Sequence, residues 1–547
     1  MGGRDSAGRG WWTALVLVLA GAVFAPSLGN GFAMDDAPLA SSRWVLVPGQ
    51  PDPVIAEWHA PSWFFGKFYW FMEYVNDGLY RPLTILSYAW TYHLVSKPFF
   101  SAASEALPHH AINVLLHVLG TFGVLAVLRR LGAGAVAAHV GAAVFAVHAI
   151  HSEVVAGVVG RAELLAFTLG LGGILLFHAG AAARGGGRHL WWGASAVLLF
   201  GAYSAKESAL GFAPLLLCFV LAERWCGGDR SVDWRTLGAA AATATAPLAV
   251  FLVLRNAAVA NHPVDLVDYV SNPLWHQDAT TRLSTAIKLW GYGLLLCVAP
   301  FSLRASYAPG VLQLESSPWS AGVLLAFALL AGLLWCGLRF ARRRPLVFFG
   351  MTCLLGLPFI TSNIPFATGT IFAERLLYAP SLGISVLAAL WVDAMPRQRW
   401  VPLALFAWCA ASAVVAWQRN SVWRDSDTLF LSEAERQPGS ADMLVKAAKV
   451  LAARKAPDDH RRALAYLERA LALVDGYPHA LRLEAELRLG DGGTDAAIRC
   501  LQKARDSNYR ELDDARALTL LLLGKAWLKK GDASRAVAAA ERAVAMA

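Results

Sequence analysis

Charged residues are scarce in this chain. They make up 16% of its 547 residues, whereas hydrophobic residues make up 56%, and the mean hydropathy is +0.46. A soluble protein of this length is rarely so apolar, and several separate runs are long enough to cross a bilayer. The composition excludes an ordinary soluble enzyme and predicts a polytopic helical membrane protein, with the lipid bilayer as a partner.

Cysteine is also scarce, and its spacing does not suit a metal site or a disulfide framework. The seven cysteines include no Cys-x-x-Cys pair and no metal-type Cys/His spacing. Most of them lie in apolar runs, at Cys218, Cys297, Cys336, Cys353 and Cys409. We therefore predict no structural disulfides. The sequence leaves the need for a divalent metal open and gives no certain cofactor.

Basic charge is present, and it is concentrated in short loops. The net charge is +9, and Arg129-Arg130 and Arg342-Arg343-Arg344 are examples of the clusters that produce it. Such clusters mark loops that face the cytoplasm. The basic balance therefore indicates membrane topology and no nucleic-acid partner.

The apolar runs predict 11–13 membrane spans. The first, at residues 11–29, follows two arginines and lacks a cleavage-type site, so we expect a retained anchor with a cytoplasmic N-terminus. Residues 30–107 are rich in Trp, Phe, Tyr and Pro and predict a first extracytoplasmic loop with interfacial helices. The remaining runs lie at 108–131, 134–149, 154–180, 190–204, 209–223, 236–256, 284–303, 319–340, 346–361, 376–394 and 400–418.

The composition changes after the last run, and residues 425–547 are polar with a helical period. Residues 463–470 align with residues 497–504 at an offset of 34, and residues 536–543 repeat the pattern. Thirty-four residues is the tetratricopeptide period. We predict a transmembrane domain at 1–424 and a tetratricopeptide α-solenoid at 425–547. A generic stack of helical hairpins is the alternative.

Two adjacent carboxylates, Asp35 and Asp36, follow the first span and lie at a membrane surface. Such a pair can hold a cation, act as a general base or be merely solvated. Further ionisable or polar residues lie in or beside the predicted spans, where they are costly and are functional candidates. They are Arg81, Asn113, His117, His148, His151, Glu153, Arg161, Glu163, Lys206, Glu207, Glu374, Arg375 and Tyr378.

Each of these residues also has a purely structural explanation, such as a buried ion pair for Arg161 or a satisfied core histidine for His117. Together they indicate a cavity on the far side of the membrane that holds acidic, basic and imidazole groups. Arginine and lysine in such a cavity suit a phosphate, which guanidinium binds with two parallel hydrogen bonds. A lipid-linked phosphate donor would fit this position.

An ordered set of motifs then resembles a known family over nearly the whole chain, the transmembrane and tetratricopeptide O-mannosyltransferases of the GT-C superfamily. The matching segments are Phe32-Ala-Met-Asp-Asp36, Tyr80-Arg-Pro-Leu83, His110-Ala-Ile-Asn-Val-Leu-Leu-His117, Phe145-Ala-Val-His-Ala-Ile-His-Ser-Glu153, Gly160-Arg-Ala-Glu163, Lys206-Glu207, Ser362-Asn363 and Ala373-Glu-Arg-Leu-Leu-Tyr-Ala-Pro-Ser381. The resemblance implies an all-α GT-C bundle. The Ala- and Gly-rich sequence with short loops is more typical of a bacterial protein than of a eukaryotic one, so we expect a bacterial inner-membrane location. The predicted topology puts the candidate site on the extracytoplasmic side, and we expect the repeats on the same side because a domain that presents acceptors must face the active site.

The resemblance further implies an inverting transfer of a sugar, mannose by analogy, from a polyprenyl phosphate to an exported acceptor. The tetratricopeptide repeats would present an acceptor protein. Asp35 or Asp36 is the candidate base, with Asp35 favoured, and Arg375 with Lys206 or Arg161 is the candidate phosphate clamp. A non-catalytic membrane scaffold whose repeats recruit partners is the alternative. A transporter is less favoured because no inverted repeat of spans is visible.

Overall fold

The structure is a computed structural model. It describes residues 2–43, 50–70, 78–183, 187–229, 233–260, 269–307, 309–395, 400–509, 511 and 513–546. The backbone of these residues is helical or irregular, with isolated bridges only, which confirms the all-α prediction.

Within the described residues, twelve main helices form the first region, one in each segment that the sequence predicts to span. Seven are long and apolar enough to cross a membrane, or up to eight if one bent pair counts as a single span. They make the chain a multi-pass membrane protein. The twelve are Gly2–Phe24, Ala106–Arg130, Ala135–Ala146, Arg161–Ala182, Gly187–Ala205, Phe212–Cys226, Trp234–Val259, Ala279–Val298, Ala321–Phe340, Pro345–Gly356, Ser381–Ala394 and Trp400–Val422.

The span count in the described residues is lower than 11–13 for two reasons. Three apolar runs contain only a short helix of 12 or 14 residues, and two further helices, of 19 and 20 residues, are long enough to span but not apolar enough. The run at 346–361 holds a helix that ends at Gly356, and the run at 376–394 holds one that starts at Ser381, directly after Pro380. Proline favours a helix start and interrupts a helix interior. The apolar runs predicted from hydropathy therefore include residues that lie outside the helices.

Short helices occupy the loop between the first two long ones. They are Asp36–Ala40, Pro61–Phe65, Pro82–Thr91 and Lys97–Phe99, with a π-helical turn at Tyr92–Ser96. None of them is among the candidate spans, in keeping with the predicted interfacial loop. The parts of that loop at 44–49 and 71–77 lie outside the described residues.

In the part of the C-terminal region that the structure describes, seven consecutive helices occur, and each packs against the next along the chain. The small residues that define the sequence repeat are buried at these helix contacts, as with Ala463, Ala497 and Ala536. Such nearest-neighbour packing is typical of an α-solenoid. The helices are Ser426–Arg436, Ala441–Arg454, Pro457–Leu473, Pro478–Gly490, Thr494–Arg505, Asp513–Lys530 and Ala533–Val544.

The two regions meet in a buried contact. Arg419 of the last membrane helix forms a 2.6 Å ion pair with Glu433 of the first repeat helix, and both side chains are buried. The second oxygen of Glu433 accepts the Ala305 backbone N–H at 2.8 Å. A Cβ on Gly310, at φ +96°, would lie 2.1 Å from the Gly439 carbonyl oxygen. The repeat helices are thus packed directly on a loop of the membrane region.

Candidate functional site

The turn that carries the aspartate pair is held by the start of the repeat region. Gly31 donates its backbone N–H to the Arg424 carbonyl at 2.8 Å, and Met34 donates its N–H to the Ser426 hydroxyl at 3.0 Å. Met34 has φ 55°, a left-handed conformation that is unusual for a side chain of this size. The repeat region therefore fixes an otherwise unfavourable turn immediately before Asp35.

Asp36 is fully buried, and the backbone binds both of its carboxylate oxygens. Oδ2 accepts the Ala33 N–H at 3.0 Å, and Oδ1 accepts the Val159 N–H at 2.8 Å. Burial raises the pKa of Asp36 to about 7, although these hydrogen bonds oppose the rise. The carboxylate joins the turn to the segment before Arg161, which is a structural arrangement.

Asp35 is in the opposite situation. Its side chain is exposed, and within the described ranges it makes no hydrogen bond and no ion pair. It nevertheless lies within electrostatic range of Arg375 and of Tyr69. An accessible carboxylate that lacks such contacts and lies near a cation can accept a proton from a hydroxyl group.

Among the described residues, three neighbouring cations each form an ion pair with one glutamate, and one of them, Arg375, lies in electrostatic range of Asp35. Arg81 Nε lies 2.8 Å from Glu207, Lys206 Nζ lies 2.7 Å from Glu163, and Arg375 Nη1 lies 2.5 Å from Glu153. Arg81 and Arg375 are both within electrostatic range of Lys206, so the pairs are neighbours. We call Asp35 and these three pairs the charged site.

The three cations differ in access. The side chain of Arg375 is 33% exposed, whereas those of Arg81 and Lys206 are 14% and 7% exposed. Glu153 also accepts the backbone N–H of Arg375 at 2.9 Å, which fixes the arginine at the start of its helical turn. Arg375 is therefore the cation of this group with most capacity left for a ligand.

Arg161, a candidate for the phosphate clamp, is enclosed by protein groups. It is fully buried and donates to four groups of the protein, at distances from 2.8 to 3.2 Å, and its guanidinium stacks over the Tyr88 ring. The acceptors are Asn113 Oδ1, the Ser87 carbonyl, the Thr91 hydroxyl and the His109 carbonyl. These contacts give Arg161 a packing role in this structure, and its part in a phosphate clamp stays a prediction.

The candidate histidines and Tyr378 belong to the same buried layer. His117 contacts the Tyr378 hydroxyl at 3.0 Å and the Ala146 carbonyl at 3.1 Å. His148 contacts the Cys297 carbonyl at 2.8 Å, and His151 contacts the Ser381 hydroxyl at 2.8 Å. Together with Arg161 and Asn113, these residues form what we call the buried polar layer. The sequence predicts one cavity, and the structure divides it into two groups.

Glu374 adjoins Arg375 but faces the junction with the repeats. It is fully buried and accepts a hydrogen bond from the Tyr307 hydroxyl at 2.7 Å and another from the Arg304 backbone N–H. Burial raises the pKa of Glu374 to about 8, against the lowering effect of the Arg419 charge. Its contacts connect the segment before Arg375 with the loop under the first repeat helix.

Sequence reasoning missed two features of the charged site. Tyr69 lies under the Arg81 guanidinium at 4.6 Å, and Lys446 of the second repeat helix lies within electrostatic range of Asp35. Neither residue is in a span or a recognisable motif, so no sequence signal marks it. Within the described part of the chain, no three His, Cys, Asp or Glu side chains are grouped for metal binding.

In sequence, the chain is similar to several protein O-mannosyl-transferases. It is 26% identical over 461 residues to protein O-mannosyl-transferase TMTC3 of Mus musculus, which covers 78% of this chain and 48% of the relative. It is 27% identical over 428 residues to Tmtc3 of Drosophila melanogaster, covering 64% and 44%. These similarities confirm the resemblance inferred from the motifs.

The chain spans about half the length of the curated relatives it matches. No family model matches it. Among solved structures, the apo crystal structure of an Archaeoglobus fulgidus oligosaccharyltransferase aligns with 83% of this chain and 60% of its own, at 15% identity and a TM-score of 0.39. That likeness is too slight to assign a function.

Proposed function

We propose that this protein is a membrane glycosyltransferase that moves a sugar from a polyprenyl phosphate to a hydroxyl of an exported acceptor, with inversion. The observation that carries the proposal is the exposed carboxylate of Asp35 in electrostatic range of the partly exposed guanidinium of Arg375. The relatives are named protein O-mannosyl-transferases, which makes mannose the first sugar to test.

The proposed reaction is a single displacement. The acceptor oxygen attacks the anomeric carbon while the bond from that carbon to the phosphate oxygen breaks, so the configuration inverts. The acceptor proton goes to Asp35, and the leaving polyprenyl phosphate keeps the electron pair. A positioned base contributes about 10²–10⁴ in rate to such a transfer, and a cation aimed at the leaving group stabilises the charge that develops there.

Arg375 is the proposed cation for the phosphate. Its guanidinium would bind the phosphate and Glu153 at the same time. Lys206 and Arg81 hold their glutamates at less exposed positions and are proposed to shape the site without direct contact. Asp36 is proposed to position Asp35, because its two backbone hydrogen bonds fix the turn on which Asp35 stands.

The side of the membrane and the acceptor are also proposals. The repeat region packs on the turn that carries Asp35, so an acceptor protein bound by the repeats would lie near the charged site. We place both on the extracytoplasmic face of a bacterial inner membrane, where exported acceptors and lipid-linked donors meet. The assay tests the need for a divalent metal by including or omitting the ion.

The test is sugar transfer by the purified protein in lipid nanodiscs. Polyprenyl-phosphate mannose and polyprenyl-phosphate glucose are supplied with Ser/Thr-containing peptides, with and without Mg²⁺ or Mn²⁺, and the acceptor mass is measured. Transfer by the wild type and its loss in Asp35→Asn would support the proposal. Asp427→Asn, at an exposed carboxylate of the first repeat helix, is the matched control.

Two results would contradict the proposal. A lack of transfer from every donor, by protein that is folded and monodisperse, would favour the scaffold alternative. Equal transfer by Asp35→Asn and the wild type at saturating substrates would leave a transferase but remove Asp35 as its base.

A further inference from the structure

The repeat region contributes one cation to the neighbourhood of Asp35. Lys446 lies on the helix Ala441–Arg454, and its ammonium is 3.0 Å from Asp442, one turn earlier. The ammonium also lies 5.6 Å from the centre of the Phe430 ring. The side chain is 35% exposed, so it is as accessible as that of Arg375.

Lys446 is connected to the turn of Asp35 through the packing of Phe430. Phe430 packs with Met34 against the small cluster that contains Ala33 and Trp423. Met34 precedes Asp35 and is bonded to Ser426, at the start of the first repeat helix. The ring under the Lys446 ammonium therefore packs against the same turn that presents the proposed base.

Contacts on the other side of Lys446 lead to Arg375. The Ser306 hydroxyl donates to Asp442 at 3.3 Å, and Arg304, two residues earlier, donates its backbone N–H to Glu374. Glu374 directly precedes Arg375. A single short loop thus separates the Lys446–Asp442 pair from the arginine of the charged site.

The electrostatics agree with this placement. Burial lowers the pKa of Lys446, but the charges of Asp442 and then Asp35 outweigh it, and the pKa lies above its usual value. The charge of Arg375 acts in the opposite direction. Lys446 and Arg375 therefore lie in range of each other and of the same free carboxylate.

We propose that Lys446 and Arg375 together bind the phosphate group of the lipid-linked donor, so that the repeat region completes the donor site. This inference rests on the proposed function. The Lys446–Asp442 pair is a partly exposed pair spaced i, i+4, a kind that is weak, so the ammonium can exchange Asp442 for a phosphate oxygen. The lysine ammonium is a compact point charge that can donate hydrogen bonds to phosphate oxygens.

The experiment measures phosphate binding by the full-length protein in nanodiscs. Farnesyl phosphate is titrated while protein fluorescence is followed, and farnesol and inorganic phosphate serve as the two partial ligands. Lys446→Met keeps the apolar stem over Phe430 and is expected to weaken farnesyl phosphate binding about tenfold, as for the loss of one charge-assisted contact. Lys446→Arg should restore most of the affinity.

Lys449→Met is the matched control, since Lys449 is an exposed lysine on the same helix and should bind as the wild type does. Lys446→Gln gives a second neutral side chain if the methionine variant is poorly folded. In transfer assays, Lys446→Met should raise the donor KM and leave kcat nearly unchanged. Inorganic phosphate should compete with farnesyl phosphate in the wild type, which would assign the site to the phosphate group itself.

Unchanged farnesyl phosphate affinity in both neutral Lys446 variants would overturn the inference, as would equal binding of farnesol. The proposed function fails differently. If Arg375→Ala weakens binding and Lys446→Met does not, only the role of the repeats is wrong. If the wild type neither binds farnesyl phosphate nor transfers sugar, the donor assignment itself is wrong.

Discussion

The charged site and the buried polar layer contain the same kinds of residues, but they differ in how accessible the side chains are and in how far protein groups already occupy them. In the charged site, Asp35 is exposed and Arg375 retains one third of its side-chain surface. In the buried polar layer, Arg161 and His117 are fully enclosed, and protein groups accept from or donate to them on several sides.

This difference shows that an ionisable residue in a membrane helix is not evidence of a ligand site by itself. Such residues are costly to bury and are functional candidates for that reason. Holding the helices of the bundle together is also a role that they can have. Arg161 joins two other helical segments through Asn113 and the Ser87 and His109 carbonyls. Remaining access to solvent is what separates a candidate binding residue from a structural one.

The largest expected contrast lies between the two aspartates. Asp35→Asn should lower the transfer rate by about 10²–10⁴, since the amide cannot accept the proton, and should leave the melting temperature close to that of the wild type. Asp36→Asn should lose less activity but should be destabilised by about 1–3 kcal/mol, because an amide can accept only one of the two backbone N–H bonds. If Asp36→Asn were the inactive, stable variant, the two roles would be exchanged.

The two arginines give the second contrast. Arg161→Met should cost about 3 kcal/mol or more, because buried acceptors lose a charged donor, and we expect a lower melting temperature and a poorer yield of monodisperse protein. Arg375→Met, at a partly exposed position, should fold nearly as the wild type and lose donor binding. Fluorescence-detected size exclusion during a temperature ramp measures the first effect. A stable Arg161→Met variant that fails only in donor binding would return Arg161 to the phosphate site.

Arg375 also tests what kind of cation the site needs. Arg375→Ala should weaken donor binding more than Arg375→Lys, by about tenfold, because lysine keeps the charge but not the planar pair of donors. Both variants should lose activity. The apparent donor KM of the two variants is the measurement. Equal, unchanged KM values would mean that Arg375 serves only to pair with Glu153.

Sequence reasoning could find the charged site but could not divide it from the buried polar layer. Asp35 was predictable because it follows a spanning segment and because the motif around it resembles that of a family. The separation of Arg161 from Arg375 depends on which side chains the helices Ala106–Arg130 and Pro82–Thr91 place around each arginine, and spacing along the chain does not encode that. Lys446 lies on an ordinary amphipathic repeat helix, where only tertiary contacts reveal its neighbours.

The smallest expected effect concerns the pH dependence of stability, and it tests Glu374 at the border of the charged site. Burial raises the pKa of Glu374 from its usual 4.5 to about 8, so the folded protein binds a proton there that the unfolded chain releases. This group's contribution to stability is complete below about pH 4.5 and is lost as the pH rises to about 8. Within that window the slope is at most about 1.4 kcal/mol per pH unit.

Glu374→Gln removes the titration and keeps an acceptor for the Tyr307 hydroxyl and the Arg304 N–H, so its melting temperature should change less between pH 5 and pH 8 than that of the wild type. Glu435→Gln, at an exposed carboxylate of the first repeat helix, is the control and should keep the wild-type slope. A wild-type slope in Glu374→Gln would show that Glu374 keeps its charge throughout the range, held by Arg419. In that case Glu374 would add a full negative charge beside Arg375, and the charged site would present less positive potential to a phosphate than we propose.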